Sequence, residues 1–181
     1  MPRTLIVALA ALTLLAGTAV AETARFSTPS ESDQVEEADD KAVALHYDSE
    51  LWSVESRPSK YRMFALMTHE DENVTGMIVY RGEPASEEEV RERVVAELEM
   101  FKDHEVDFSR REVNGVPVLY VDAVASKSDG SDVVVNSYYW MGENGVVDYA
   151  VMAPSDGFDQ HRDAVMDLLN GLEISAERAA N

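Results

Sequence analysis

The sequence contains no cysteine in 181 residues. This absence excludes disulfide bonds, thiolate metal sites, iron–sulfur ligation and thiol nucleophiles. Positive charge is also scarce, because 15 lysine and arginine residues stand against 35 aspartate and glutamate residues, which gives a formal net charge of −20. Binding to nucleic-acid phosphates depends on lysine and arginine displacing counterions. The charge balance therefore argues against nucleic acid as a partner and against binding to anionic membrane surfaces.

Motifs for catalysis and for nucleotide binding are missing as well. The chain has no G-x-S-x-G nucleophile elbow, no S-x-x-K, no H-E-x-x-H and no G-x-G-x-x-G. Paired carboxylates are abundant, but with this many acidic residues such pairs occur by chance. We therefore expect no cofactor and no catalytic activity, with a hydrolase whose catalytic residues are dispersed along the chain as an alternative.

Residues 1–21 have the pattern of a secretory signal peptide. Arg3 precedes an apolar run, and the small residues Ala19 and Ala21 form an A-x-A site just before Glu22. The alternative is an uncleaved anchor, since the apolar stretch is just long enough for a short membrane span. We expect cleavage after Ala21, export to the periplasm or beyond it, and no stable membrane anchor in the mature protein.

The mature chain divides into three parts by composition. Residues 22–41 are rich in acidic residues, have little apolar content and show no periodicity. Such a segment buries too little surface to offset the entropy of ordering it, so we predict a disordered acidic leader. Residues 42–175 are predicted to form a single domain, and residues 176–181 a C-terminal tail.

Apolar periodicity and turn residues place the secondary structure of the domain. Four strands come first, at residues 42–47, 51–55, 62–68 and 74–81. Ser86 and Glu89 form a capping box that begins a helix predicted to run to about His104. Further strands and a second helix follow, at residues 106–113, 116–127, 132–141, 146–153, 157–170 (the helix) and 172–174. The predicted class is α+β, a meandering antiparallel sheet with two main helices packed on it.

Several short motifs in this domain resemble those of one known superfamily. They are Tyr-Asp-Ser-Glu-Leu-Trp at 47–52, Asn-Gly-Val-Pro at 114–117 with Tyr120, Gly-Val-Val-Asp-Tyr at 145–149, Ala153-Pro154 and Phe158. With them, residues 42–174 resemble the PsbP/DcrB-like superfamily. That superfamily includes the extrinsic P subunit of photosystem II, a Ran-binding nuclear-import factor and bacterial envelope proteins. The resemblance implies the fold and a binding or accessory role, with no activity attached.

One cluster of possible metal ligands stands out in the sequence. His69, Glu70, Asp71 and Glu72 are consecutive in a predicted loop between two strands. Their oxygen and nitrogen atoms could hold a divalent cation weakly, although the spacing is not that of an EF-hand. The alternative is a solvated turn. His161 is interpreted as a semi-buried residue on the apolar side of the second helix.

Three consecutive aromatic residues are candidates for contact with a partner. Tyr138, Tyr139 and Trp140 must point to alternate faces of their strand, with Tyr139 opposite the other two. Residues of this kind are usually part of a core, but an exposed member would suit an interface.

We therefore expect an exported, non-catalytic binding or accessory protein whose partner is another envelope protein. The alternatives are a metal- or small-ligand-binding protein, using the 69–73 loop or a pocket between sheet and helix, and the hydrolase. A concave pocket with convergent polar groups would distinguish them. The sequence leaves the oligomeric state open.

Overall fold

The computed structural model describes residues 32–38, 42–71, 73–113, 116–143, 145–155 and 158–174. The first five strands, in chain order, are β1 (Gln34–Glu37), β2 (Val43–Tyr47), β3 (Trp52–Ser56), β4 (Met63–His69) and β5 (Thr75–Arg81). Helix α1 (Glu87–Leu98) separates them from β6 (Asp103–Val113), β7 (Val116–Ser126), β8 (Asp132–Gly142) and β9 (Gly145–Pro154). A 3-10 turn (Phe158–His161), helix α2 (Arg162–Asn170) and β10 (Leu172–Ile174) complete the described chain.

The larger sheet consists of two antiparallel meanders joined side by side. Its strand order is β3-β4-β5-β9-β8-β7-β6. Strands β3 to β5 form one meander, and strands β6 to β9 form the other. They join where β5 pairs with β9, from Thr75 beside Met152 to Arg81 beside Val146. Helix α1 connects the two meanders, because it follows β5 and precedes β6 at the far edge.

A three-stranded sheet and α2 cover one face of the larger sheet. Strand β2 lies between β1 and β10 in this second sheet, and both pairings are antiparallel. Leu45 of β2 and Leu168 of α2 share one buried cluster with Ile78 and Tyr149 of the larger sheet. The Tyr149 hydroxyl donates to the Val165 carbonyl at 3.0 Å, which fixes α2 on the sheet. This packing accounts for the α+β architecture.

Helix α1 covers part of the opposite face, and its first turn is capped as the sequence predicts. The Ser86 hydroxyl accepts from the Glu89 backbone N–H, and the Glu89 carboxylate accepts from the Ser86 backbone N–H. This reciprocal pair satisfies two of the donors that a helix start leaves without partners. The apolar side of the helix, Val90, Val94 and Leu98, packs against strands β7 to β9. The rest of that face carries no helix among the described residues.

The structure corrects the prediction for the N-terminal leader. Residues 22–41 were expected to be disordered, but β1 pairs with β2, and Ala38 is buried in the core. The Asp33 carboxylate also accepts hydrogen bonds from the Ser49 backbone and hydroxyl at 2.8 and 2.7 Å. Backbone pairing stabilises this short segment, whose side chains show no apolar alternation. The remainder of the leader, residues 1–21 and residues 175–181 lie outside the described residues.

Other details of the predicted fold also differ from the structure. A single meandering sheet was expected, whereas the described strands form two sheets. Helix α1 ends at Leu98 and not near His104, because the Lys102 backbone already pairs with Ser126 at the start of the β6–β7 ladder. His104 therefore lies in β6, opposite Ala125. Gly171, which follows the last residue of α2, has a right-handed helical conformation with φ of −77°.

Candidate functional site

An apolar cleft lies between α1 and the part of the sheet that the helix leaves uncovered. Its volume is about 470 Å³, which is within the range of small-molecule sites. The floor is formed by side chains of β4, β5, β8 and β9, and the wall by α1 and the turn after it. The lining includes Leu66, Thr68, Thr75, Met77, Ala150, Met152, Val94, Leu98, Met100 and Phe101. Met100 is 83% exposed at the rim, and an exposed methionine of this kind adapts readily to an apolar ligand.

A buried charged cluster lies next to this cleft. Asp148 of β9 is fully buried, and its Oδ2 is 3.9 Å from Nη2 of Arg81 on the neighbouring strand β5. The same Arg81 nitrogen is 3.6 Å from Oε1 of Glu97 on α1. Arg93, one helical turn before Glu97, places its Nε and Nη2 atoms in the interior. The cluster therefore connects both halves of the sheet with the helix.

Several buried polar atoms of this cluster lack hydrogen-bond partners. Within the described residues, the buried side-chain nitrogens and oxygens that have no hydrogen-bond partner all belong to Arg81, Arg93 and Asp148. Native proteins pair the large majority of their buried polar atoms, so a concentration of unpaired ones needs an explanation. Donor nitrogens held in place without partners suit an anionic or hydrogen-bonding ligand group.

The environment of Asp148 changes its ionisation. Burial, reinforced by the negative charge of Glu97, raises the pKa of Asp148 to about 7 from its ordinary 3.8. Arg81 and Arg93 act in the opposite direction, as does the Tyr139 hydroxyl, although neither Asp148 oxygen has a hydrogen-bond partner within 3.5 Å. Near neutral pH this carboxyl can therefore either donate or accept a hydrogen bond.

A second, polar cavity adjoins the cluster from the other side. It has a volume of about 730 Å³ and is lined by Lys60, Tyr61, Arg62, Arg81, Gly82, Glu83, Pro84, Ala85, Glu89, Arg93 and Glu97. Four basic and three acidic residues meet here, in a chain where acidic residues outnumber basic ones by 35 to 15. Glu97 lines both cavities, so the apolar cleft and the polar cavity are neighbours.

The predicted metal ligands are only partly brought together. His69 and Asp71 lie in contact at the end of β4, with Nδ1 and Oδ1 3.1 Å apart. His161, which precedes α2, joins them with its Nε2 3.0 Å from Oδ2 of Asp71. Glu70 is exposed and does not join this cluster, and Glu72 lies outside the described residues.

The three aromatic residues of β8 are mostly core. Tyr138 and Tyr139 are buried on opposite faces of the sheet, at 9% and 3% exposure, and Trp140 is half-buried on the Tyr138 side. The alternation of faces is as predicted. Of the three, Trp140 is left as a candidate for partner contact. The signal-cleavage residues Ala19, Ala21 and Glu22 lie outside the described residues.

Sequence reasoning missed the charged cluster around Asp148. Arg81, Arg93 and Asp148 are far apart in the chain and belong to no motif. One signal was present: Asp148 interrupts the apolar run from Val146 to Ala153, where a strand buried on both faces has little room for a charge.

Within the part of the chain that the structure describes, no helix is long and apolar enough to cross a membrane. No family model and no curated protein matches the sequence. Solved structures do match the fold. A protein from Bacteroides thetaiotaomicron VPI-5482 superposes with a TM-score of 0.56 at 12% identity, over 80% of this chain and 49% of that one. The chain thus spans about half the length of that structure.

Two further matches cover most of both chains. Cyanobacterial PsbP (CyanoP) from Synechocystis sp. PCC 6803 has a TM-score of 0.54 at 8% identity, over 80% of this chain and 93% of that one. LpqN of Mycobacterium tuberculosis, described as involved in cell envelope biogenesis, has a TM-score of 0.50 at 15% identity, over 74% and 83%. At identities this low, the superpositions establish the fold and say nothing about activity. The chain shares its α+β fold with cyanobacterial PsbP and LpqN, which agrees with the fold that the resemblance to the PsbP/DcrB-like superfamily implies.

Proposed function

We propose that this chain is an exported binding protein that holds a small amphiphile, with its apolar chain in the cleft and its anionic head group beside Arg81 and Arg93. The observation that carries the proposal is that the apolar cleft and the polar cavity meet at Glu97, and that Arg81 and Arg93 of the polar cavity have buried donor atoms without hydrogen-bond partners. This pocket with convergent polar groups favours small-ligand binding over an accessory role exercised through surface contacts alone.

The apolar end of the ligand is specified by the cleft lining. Leu66, Met77 and Met152 are half-buried on the open face of the sheet, and Leu98 of α1 is buried beside them. An alkyl chain that covers these side chains removes apolar surface from water at about 25 cal/mol per Å². Methionine side chains have several rotatable bonds, so the cleft can fit chains of different shape.

The head group is specified by charge. The chain as a whole repels anions, yet Lys60, Arg62, Arg81 and Arg93 converge on the polar cavity beside the cleft. Among its acidic residues, Glu89 is already engaged in the helix cap and Glu97 lies near Arg81. An anionic head group would supply the acceptors that Arg93 lacks, with the strength of a charge-assisted hydrogen bond.

Binding of a sixteen-carbon fatty acid and of the alcohol of equal length tests this proposal. We expect the full chain to bind palmitate more tightly than hexadecanol, because only the acid presents a charge to Arg93. Met77→Glu should weaken both ligands at least about tenfold, about 1.4 kcal/mol, by placing a charge in the cleft. Arg93→Gln should weaken palmitate and leave hexadecanol nearly unchanged. Displacement of a fluorescent fatty acid measures all of these affinities.

Two matched variants serve as controls. Val124→Glu introduces the same charge at an exposed strand residue outside the cleft, and Arg57→Gln removes a surface arginine that pairs with Glu55. Neither should change palmitate affinity. No saturable binding by the wild-type chain below about 100 μM, or equal losses in Met77→Glu and Val124→Glu, would contradict the proposal.

Export is part of the proposed function and rests on the signal-peptide pattern of the sequence. We expect cleavage after Ala21, because Ala19 and Ala21 fit the small subsites of a signal peptidase. N-terminal sequencing of protein recovered from the periplasmic fraction should begin at Glu22. Ala21→Arg should block cleavage and leave the precursor in the membrane fraction, whereas Thr23→Arg should still be processed. Wild-type protein that keeps Met1 would contradict export by this route.

The non-catalytic character is likewise proposed from the sequence, which has no thiol and neither a G-x-S-x-G nor an S-x-x-K nucleophile motif. An exported amphiphile-binding protein needs a donor or acceptor for its ligand, and we propose another envelope protein in that role. The half-buried Trp140 is the candidate contact residue.

A further inference from the structure

Two histidines and one aspartate converge on the face of the larger sheet opposite to the cleft. His69 ends β4 on the same face as Met63 and Ala65, whereas the side chains of the cleft residues Leu66 and Thr68 point to the other face. His161 arrives from the turn before α2. The cluster is thus separated from the proposed amphiphile site by the sheet itself.

The distances within the cluster suit a shared metal ion. Asp71 places one oxygen 3.1 Å from Nδ1 of His69 and the other 3.0 Å from Nε2 of His161. One donor atom from each of the three residues lies within 4.8 Å of the others. Two atoms that each bind Zn²⁺ at about 2.0–2.2 Å in tetrahedral geometry are about 3.3–3.6 Å apart. Small side-chain rotations therefore suffice to place all three around one ion.

We propose that His69, Asp71 and His161 form a binding site for a divalent transition metal ion such as Zn²⁺. Imidazole nitrogens favour zinc and related transition metals over Mg²⁺ and Ca²⁺, which prefer oxygen ligands. Three protein ligands leave a fourth position of a tetrahedral ion for water or for another ligand. Asp71, about one-third exposed, lies on the solvent side of the cluster.

Neighbouring groups hold His69 and Asp71 in position without a bound metal ion. His69 is 7% exposed, and its ring packs edge-on against Trp52 with the centroids 5.1 Å apart. The His69 backbone N–H donates to Val74 at 2.9 Å, and the Asp71 carboxylate accepts from the Asn73 backbone at 3.0 Å. A site organised in this way loses little conformational entropy when it binds an ion.

A metal ion here would join two separate parts of the fold. His69 and Asp71 belong to the end of β4 and the turn that follows it, while His161 immediately precedes α2. Because an ion that binds only the folded state stabilises it by mass action, saturating zinc should raise the melting temperature. It should also slow hydrogen exchange in α2.

The four histidines of the chain provide an internal test. In NMR spectra of imidazole side chains of the full chain, prepared without a histidine tag, Zn²⁺ should shift the signals of His69 and His161. The signals of His46 and His104 should stay in place. Excess Mg²⁺ is included throughout, because it occupies oxygen-only carboxylate sites on so acidic a surface. Equal shifts of all four histidines, or no shift, would overturn the proposal.

Matched variants separate a metal site from a hydrogen-bonded cluster. Glutamine can still donate to Asp71 but is a poor zinc ligand, so His161→Gln should weaken Zn²⁺ binding at least about tenfold in calorimetry. Asp71→Asn should do the same, and it replaces a partly exposed residue. His104→Gln, which removes a histidine outside the cluster, should bind Zn²⁺ like the wild type. If His161→Gln and His104→Gln bind Zn²⁺ equally, the cluster is only a hydrogen-bonded contact.

Discussion

The Asp148→Asn variant is expected to lack a decrease of about 4 kcal/mol in the free energy of unfolding that the wild-type protein shows as the pH rises. In the folded protein, burial raises the pKa of Asp148 to about 7, whereas the unfolded chain has the ordinary value of 3.8. Between these two values the folded state holds a proton that the unfolded state has released. The contribution of Asp148 to stability is therefore fully present below about pH 4 and is lost as the pH rises to about 7.

Asparagine at this position cannot ionise, so the variant has no such loss. The difference in free energy of unfolding between Asp148→Asn and wild type should therefore shift in favour of the variant by about 4 kcal/mol from pH 4 to pH 8. Urea denaturation at a series of pH values measures this difference. Asp107→Asn, which removes an exposed carboxylate from β6, provides the surface comparison. A difference that is flat with pH for both variants would show that Asp148 ionises normally.

Gly145→Ala is expected to destabilise the fold by about 3–5 kcal/mol. Gly145 begins β9 with φ of +138°, a conformation that is essentially restricted to glycine. A Cβ atom there would also lie 2.0 Å from the backbone carbonyl oxygen of Arg81. Since the obstacle is backbone of the paired strand β5, relief requires separation of the two strands.

Gly130→Ala distinguishes the two causes of this expected loss. Gly130 also has positive φ, at +88°, but an added Cβ would meet nothing within 4 Å. Its cost should be only the backbone preference, about 1–2 kcal/mol. Denaturant unfolding of both variants separates the conformational cost from the steric one. Equal losses at the two positions would mean that strands β5 and β9 are not in close contact at Gly145.

Most strands were predictable from the sequence because their apolar residues alternate or run together between turn residues. The capping box at Ser86 was equally clear. Strand β1 was not predictable, because Val35 is its one apolar side chain and is exposed. Its stability comes from backbone pairing with β2, and backbone pairing leaves no trace in side-chain patterns. The division of the strands into two sheets depends on tertiary packing, so it could not be predicted from the sequence either.

The candidate sites were predictable only where their residues are neighbours in sequence. His69 and Asp71 stood out as part of a dense ligand cluster, but His161 lies far along the chain and looked like a core residue. The cleft depends on how much of the sheet α1 covers, and the helix proved shorter than its apolar pattern indicated. Phe101 consequently lies in the turn after α1 and forms part of the cleft wall.

The pairing of β5 with β9 also has a consequence for how the chain folds. Each meander consists of hairpins between strands adjacent in sequence, whereas this seam joins residues separated by α1 and three strands. Closing so long a loop costs chain entropy before any contact is gained, which places the seam late in folding. Thr75 and Met77 on one side of the seam, and Ala150 and Met152 on the other, line the cleft. An amphiphile bound there would contact both meanders. It would therefore oppose the separation of β5 from β9, the pairing that forms late in folding.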